Sequence, residues 1–130
     1  MMRTIFTFQV TRLGSEAEAM MELGNLVIFS EEAIKYYESE ELESICVMHD
    51  FPKSPYFNLK PGQFLRVGER EYEIFAVGEA VNHNIKNYGH STFRFVGKPF
   101  DGDMKSGDIL VASTEIPPVA PGTVIKVYSK

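Results

Sequence analysis

The sequence is poor in the residues that build covalent cross-links and membrane spans. Its 130 residues include one cysteine, Cys46, and no tryptophan. A single cysteine excludes an intrachain disulfide bond and a zinc site built from several cysteines, and it is typical of a reducing compartment. No apolar run reaches the roughly 18 residues that a membrane-spanning helix needs, and the first residues lack the apolar stretch of a signal peptide. We therefore expect a cytoplasmic protein with no direct membrane insertion.

Positive charge is scarce as well. The chain has 13 Lys and Arg residues against 18 Asp and Glu residues, a net charge of −5 at pH 7. Proteins bind a phosphate backbone mainly through Lys and Arg, so this balance argues against nucleic acid as a partner. The apolar fraction of 44% and the charged fraction of 24% are those of an ordinary globular protein. We expect one domain, residues 1–130, with a core of its own.

Glycine and proline divide the chain into short segments, several of which alternate apolar and polar residues. In residues 5–10, Phe6, Phe8 and Val10 fall on one face, as the period of two in a β-strand requires. Two alternating segments on either side of residues 68–70 predict a hairpin. The pattern predicts an all-β barrel or sandwich of about eight short strands, at residues 5–10, 26–29, 45–50, 64–67, 72–77, 91–96, 109–112 and 124–128.

Helices are predicted to be few and short. Ser15 followed by Glu18 has the spacing of a capping box, and it predicts a helix that ends before Gly24. Residues 31–37 and 82–88 predict two more short helices or turns, the last of them ended by Gly89. The cluster of acidic residues at 38–43 is interpreted as a solvated loop or turn.

The three histidines are the main candidates for chemically active side chains. His49 ends the predicted strand 45–50, on the same face as Val47, whereas Asp50 points to the other face. One interpretation is a structural histidine at the edge of the core. The other is a nucleophilic imidazole at a strand terminus, since a neutral imidazole can attack phosphorus.

His90 opens the predicted strand that carries Thr92 and Arg94. Alternation sends Phe93 and Phe95 to the core and places His90, Thr92 and Arg94 together on the opposite face. These three groups can all donate hydrogen bonds to an oxyanion, so the row is either a phosphate-binding surface or simply a solvated face.

The other candidate residues give weaker evidence of a function. His83 stands in a polar segment and is interpreted as a surface residue, and Cys46 is interpreted as a small buried apolar residue. Cys46 and His49 point to opposite faces of a strand, which argues against a shared metal. Because the chain also lacks glycine-rich nucleotide-binding motifs, we expect neither a metal nor another cofactor.

Seven short segments, taken in order, resemble one known family. It is the glucitol/sorbitol-specific IIA component of the bacterial phosphoenolpyruvate-dependent sugar phosphotransferase system (PTS). The resemblance is colinear over nearly the whole chain. It rests on Thr11-Arg12-Leu13-Gly14, Cys46-Val47-Met48-His49, Leu59-Lys60-Pro61-Gly62, Ala76-Val77-Gly78, Asn84-Ile85-Lys86 leading to Gly89-His90, Thr92-Phe93-Arg94-Phe95, and residues 120–126.

The resemblance implies a closed β-barrel of seven or eight strands with one to three short helices. It also implies a phosphoryl relay from phosphoenolpyruvate through enzyme I and the histidine phosphocarrier protein (HPr) to this chain. The phosphoryl group then passes to a cysteine of the IIB component, while the membrane component IIC carries the sugar. In this scheme His49 is the phosphorylated nucleophile, His90 supports the phosphoryl group, and Thr92 and Arg94 are phosphate-binding residues.

Two alternatives stay open at this stage. One is a non-catalytic binding barrel with the same fold, and the other is a phosphorylated regulator of transcription. A phosphocarrier requires an accessible His49, whereas the binding barrel predicts a buried His49 with a large apolar cavity elsewhere. The segment 51–57, with Pro52 and Pro55, departs from the family pattern at the expected partner surface.

Overall fold

Eight β-strands close into a barrel in the computed structural model, which describes residues 2–50 and 58–130. Around the barrel the strand order is β1-β3-β2-β6-β7-β5-β4-β8, and β8 pairs with β1 to close it. The pairs β2–β3 and β6–β7 are parallel, and the other pairs are antiparallel. The strands are β1 (Arg3–Leu13), β2 (Asn25–Ser30), β3 (Val47–His49), β4 (Phe64–Val67), β5 (Arg70–Val77), β6 (Ser91–Phe95), β7 (Asp108–Val111) and β8 (Val124–Ser129).

The apolar side chains of the alternating segments fill the interior of the barrel, as predicted. Phe6, Phe8 and Val10 of β1 are buried in the main core, and so are Phe93 and Phe95 of β6. The hairpin is confirmed, since β4 and β5 pair antiparallel with Val67 opposite Arg70. The all-β class and the closed barrel are therefore confirmed, with eight strands in the described part of the chain.

A second, smaller core lies outside the barrel wall, between strands β2 and β3 and the helices. Its buried members are Val27, Phe29, Ile34, Cys46 and Met48. Because neighbouring strand residues point to opposite sides, β2 and β3 supply side chains to both cores. Val47 belongs to the main core and Met48 to the outer one.

Four short α-helices accompany the barrel in the described residues, one more than the largest number expected. They are α1 (Ala17–Glu22), α2 (Glu31–Ile34), α3 (Glu40–Ile45) and α4 (Val81–Tyr88), with a single 3₁₀ turn at Lys35–Tyr37 after α2. None of the described helices has the length and apolar composition needed to cross a bilayer.

The acidic segment was predicted wrongly, because it is helix α3 rather than a loop. The hydroxyl of Ser39 accepts a hydrogen bond from the backbone N–H of Leu42 at 3.1 Å, which caps the helix. Glu40, Glu41 and Glu43 lie in its first turn, where negative charge is favourable. Since α3 runs to Ile45, strand β3 begins only at Val47 and is shorter than predicted.

The predicted capping box at Ser15 is also wrong. The residue that precedes α1 is Glu16, and its side chain makes no capping hydrogen bond. The chain is held there by the backbone instead, since the N–H of Glu16 donates to the carbonyl of Ser44 at 2.7 Å. The segment 51–57, singled out for its departure from the family pattern, lies outside the described residues.

Candidate functional site

His49 is completely buried at the end of β3, with 0% of its surface exposed. Strand β3 lies between β1 and β2, which places Val10 and Ser30 opposite His49. The imidazole stacks on the ring of Phe8 with a centroid distance of 3.8 Å. The ring therefore faces the barrel interior and is held rigidly there.

Both ring nitrogens of His49 face backbone carbonyl oxygens. Nε2 lies 2.7 Å from the carbonyl oxygen of Gly89, and Nδ1 contacts the carbonyl oxygen of Asp50. Burial lowers the pKa of His49, and this outweighs the two carbonyls and the nearby acids Asp50 and Glu31, which favour the charged ring. A neutral imidazole carries one N–H, so one nitrogen lone pair must face a carbonyl oxygen.

The carboxylate of Asp50 does not orient His49. Its Oδ1 accepts a hydrogen bond from the backbone N–H of Gln9 at 2.8 Å, and its own N–H donates to the Gln9 carbonyl. These two bonds fix Asp50 against β1. The Asp50 side chain points away from the imidazole, as the alternation predicted, and the groups that hold the ring are the backbone carbonyls of Asp50 and Gly89.

Gly89 touches His49 directly. It ends α4 with φ +61°, and a Cβ built there would lie 2.8 Å from Cε1 of His49 and 2.9 Å from Cβ of Ser30. A glycine is required at this position on two counts, the positive φ and the close approach of the imidazole. The predicted end of the helix at Gly89 is confirmed.

The His90 side chain lies on the other side of the Gly89–His90 backbone from His49, beside the smaller outer core. Its Nδ1 is 2.9 Å from the carbonyl oxygen of Ile28, and its ring packs on Phe29 at 4.5 Å between centroids. Burial lowers the pKa of His90. The neutral ring therefore donates through Nδ1–H and carries its lone pair on Nε2.

His90, Thr92 and Arg94 line one cleft of about 670 Å³, so the structure brings these three predicted residues together. The guanidinium of Arg94 is already engaged, because its Nη1 lies 3.0 Å from Oδ2 of Asp108 and 2.7 Å from the carbonyl of Asp103. His49 is not part of this cleft lining. The two histidines are connected by the Gly89–His90 peptide.

The remaining candidates lie apart from this site. His83 is exposed on α4, and its backbone carbonyl accepts a hydrogen bond from Asn87. Cys46 is buried in the outer core, where burial raises the pKa of its thiol to about 12. In the ranges 2–50 and 58–130, no group of three or more potential metal-ligating side chains converges.

The buried histidines make stability depend on pH. Their pKa values are lowered in the folded protein, so the unfolded chain binds protons first as the pH falls below about 6.5. The contribution of the two histidines to the free energy of unfolding should be constant above that pH. It should then fall by up to about 1.4 kcal/mol per pH unit for each histidine until the lowered pKa is reached. Urea denaturation between about pH 7.5 and pH 5 measures this, and a flat profile, or an unchanged slope in His49→Gln, would contradict it.

Comparison with known proteins identifies the family. The family model for the PTS system glucitol/sorbitol-specific IIA component matches residues 5–126. The glucitol/sorbitol-specific EIIA components of Shigella flexneri and of Escherichia coli (strain K12) are each 30% identical to this chain over 128 residues, 98% of both chains. A crystal structure of a PTS system IIA component from Enterococcus faecalis V583 superposes with a TM-score of 0.77 at 28% identity, covering 92% of this chain and 96% of that one. The resemblance drawn from the sequence is thus confirmed, and the chain belongs to the glucitol/sorbitol-specific IIA components of the PTS, a family of phosphotransferase components.

Proposed function

We propose that this protein is the IIA phosphocarrier of a glucitol/sorbitol uptake system. It accepts a phosphoryl group from the phosphohistidine of HPr on His49, and it passes the group to a cysteine of the IIB component, which acts with the membrane component IIC. Membership of the family supports the general role. The relatives from Shigella flexneri and Escherichia coli are glucitol/sorbitol-specific components, which supports glucitol/sorbitol as the sugar class.

The environment of the His49 imidazole carries the proposal. The ring is fully buried, stacked on Phe8 and set between two carbonyl oxygens. A neutral imidazole donates a hydrogen bond to only one of these oxygens, so its other nitrogen has no hydrogen-bond donor to accept from. Buried polar groups are almost always matched, and an exception is typical of a residue retained for its chemistry. An apolar side chain would serve packing better at this position.

The geometry also favours Nε2 of His49 as the reacting atom. Asp50 is fixed to β1, so its carbonyl is the stable acceptor for Nδ1–H of His49, and this leaves the lone pair on Nε2. In transfer, the Nε2 lone pair forms a bond to phosphorus while the P–N bond of the donor phosphohistidine breaks. The donor nitrogen takes back its electron pair, and Nδ1 keeps its proton throughout.

The cleft residues are assigned supporting roles. His90 is anchored to Ile28 and positions the backbone beside His49. Thr92 and Arg94 line the same cleft as His90, where their hydroxyl and guanidinium groups favour the approach of an anion. Because Arg94 is paired with Asp108, we assign it a weaker role than a free arginine would have.

The complete burial of His49 differs from the accessible histidine expected of a phosphocarrier and is what the non-catalytic alternative predicts, so a direct experiment is needed. The protein is incubated with phosphoenolpyruvate, enzyme I and HPr, and its intact mass is measured before and after acid treatment. We expect one acid-labile, alkali-stable phosphoryl group per chain, which is lost when IIB is added. No mass change with active HPr would establish the binding barrel instead, and a stable phosphorylated form that IIB cannot discharge would indicate the regulator.

A further inference from the structure

The phosphoryl acceptor is blocked by a backbone group. Nε2 of His49 lies 2.7 Å from the carbonyl oxygen of Gly89, and the imidazole is fully buried. A phosphoryl group on Nε2 would occupy the direction in which this carbonyl lies. Its negatively charged oxygens would also be repelled by the carbonyl oxygen. Uptake therefore requires the carbonyl to move.

We propose that the Gly89–His90 peptide rotates when His49 is phosphorylated, so that the backbone N–H of His90 replaces the Gly89 carbonyl and donates to a phosphoryl oxygen. This inference rests on the function proposed above, and it adds a transition-state donor that belongs to the backbone. In a trans peptide, C=O and N–H point in opposite directions. A half-turn of the peptide plane therefore exchanges an acceptor for a donor at the same place.

Residue 89 is suited to this rotation. Its present conformation is left-handed, with φ +61° and ψ +29°. Rotating the Gly89–His90 peptide by about half a turn changes ψ of Gly89 and φ of His90 by nearly equal and opposite amounts, and it gives Gly89 a positive φ with an extended ψ. That region is essentially open to glycine alone. A glycine here thus permits both the present conformation and the rotated one.

The hydrogen bonds around the peptide also favour the rotation. The N–H of His90 donates to the Asn84 carbonyl at 3.4 Å, a long and weak bond. The bonds on either side are shorter, since the N–H of Gly89 donates to Ile85 at 2.9 Å and Nδ1 of His90 lies 2.9 Å from Ile28. The peptide plane can turn between these two anchors while α4 and β6 stay in place.

Nuclear magnetic resonance of the parent protein tests the rotation. Phosphorylation should move the His90 amide proton downfield and produce a scalar coupling through the hydrogen bond to ³¹P. An unchanged His90 amide on a protein phosphorylated at His49 would overturn the rotation and leave the proposed function intact. Absence of phosphate on His49 would overturn both.

Two glycine variants provide a matched pair. Gly89 and Gly68 have nearly equal positive φ values, +61° and +60°, but a Cβ at Gly68 meets nothing within 4 Å. Gly68→Ala therefore measures backbone strain alone. We expect Gly89→Ala to slow phosphoryl uptake at least about 100-fold, the effect of losing one aimed donor, and Gly68→Ala to transfer at the parent rate. Equal rates for the two folded variants would contradict the proposal, and if Gly89→Ala does not fold, the resonance experiment on the parent decides.

Discussion

Replacing His49 by glutamine is expected to abolish phosphoryl uptake from HPr while the barrel stays folded. The glutamine amide nitrogen can occupy the place of Nε2 and donate to the Gly89 carbonyl, which now faces that atom at 2.7 Å. An amide is not a nucleophile toward phosphorus, so only the chemistry is removed. His49→Ala is a poorer test, because the side chain is fully buried beside Phe8 and its loss would cost about 3 kcal/mol.

His83→Gln is the matched control for this variant. His83 is exposed on α4, so its replacement should leave uptake and thermal stability at the parent values. Intact mass after incubation with phosphoenolpyruvate, enzyme I and HPr gives the uptake, and circular dichroism confirms folding. One acid-labile phosphoryl group per chain on folded His49→Gln would show that the acceptor is another residue.

Replacing His90 by glutamine is expected to leave phosphoryl uptake possible but to slow onward transfer to IIB by roughly 100- to 1,000-fold, the range found when one aimed group is lost. The structure refines this expectation, since His90 makes its hydrogen bond through Nδ1 to the carbonyl of Ile28. Asparagine places its amide nitrogen near the position of Nδ1, whereas glutamine places it near Nε2. His90→Asn should therefore keep the anchor and transfer at close to the parent rate.

The variants His90→Gln and His90→Asn distinguish three possibilities for His90: a residue that positions the backbone, a solvated surface residue, and a residue that contacts the phosphoryl group directly. Rapid-quench measurement of transfer to the IIB cysteine gives both rates, and circular dichroism checks that the variants fold. Parent rates in both variants would show that the His90 ring is not used. A large loss in His90→Asn with a small one in His90→Gln would assign the role to Nε2 and contradict the anchor.

The grouping of His90, Thr92 and Arg94 could be predicted because it depends only on local geometry. Side chains two apart on a strand share a face, and the burial of Phe93 and Phe95 on the other face confirms the pattern. The pairing of Arg94 with Asp108 could not be predicted in the same way. It follows from the parallel pairing of β6 with β7, which places Asp108 opposite Thr92, two residues before Arg94.

The groups that hold His49 were missed for a different reason. They are the backbone carbonyls of Asp50 and Gly89, and every residue has a carbonyl, so the sequence marks neither one. Gly89 was singled out as the end of a helix and as part of the family resemblance. The available signal was a glycine immediately before the family histidine His90, but its contact with His49, 40 residues away, requires the closed barrel.

The helix N-caps were also predicted incorrectly from the sequence. Ser15 has the spacing of a capping box but caps nothing in α1, whereas Ser39, which was not singled out, caps α3. Both serines precede acidic residues, but beside Ser15 the backbone N–H of Glu16 donates to the carbonyl of Ser44, and α1 begins one residue later than a Ser15 cap requires. Such a tertiary contact outweighs a capping preference of about 1 kcal/mol.

The most direct test of the account is to locate the phosphoryl group on the histidine rings. Long-range ¹H–¹⁵N correlation spectra of the phosphorylated protein report each of the three imidazoles separately. The account predicts that only His49 changes to the pattern of an Nε2-phosphorylated ring, with Nδ1 still protonated and His83 and His90 unchanged in covalent state. A phosphorylated His90 ring beside an unmodified His49 would contradict it.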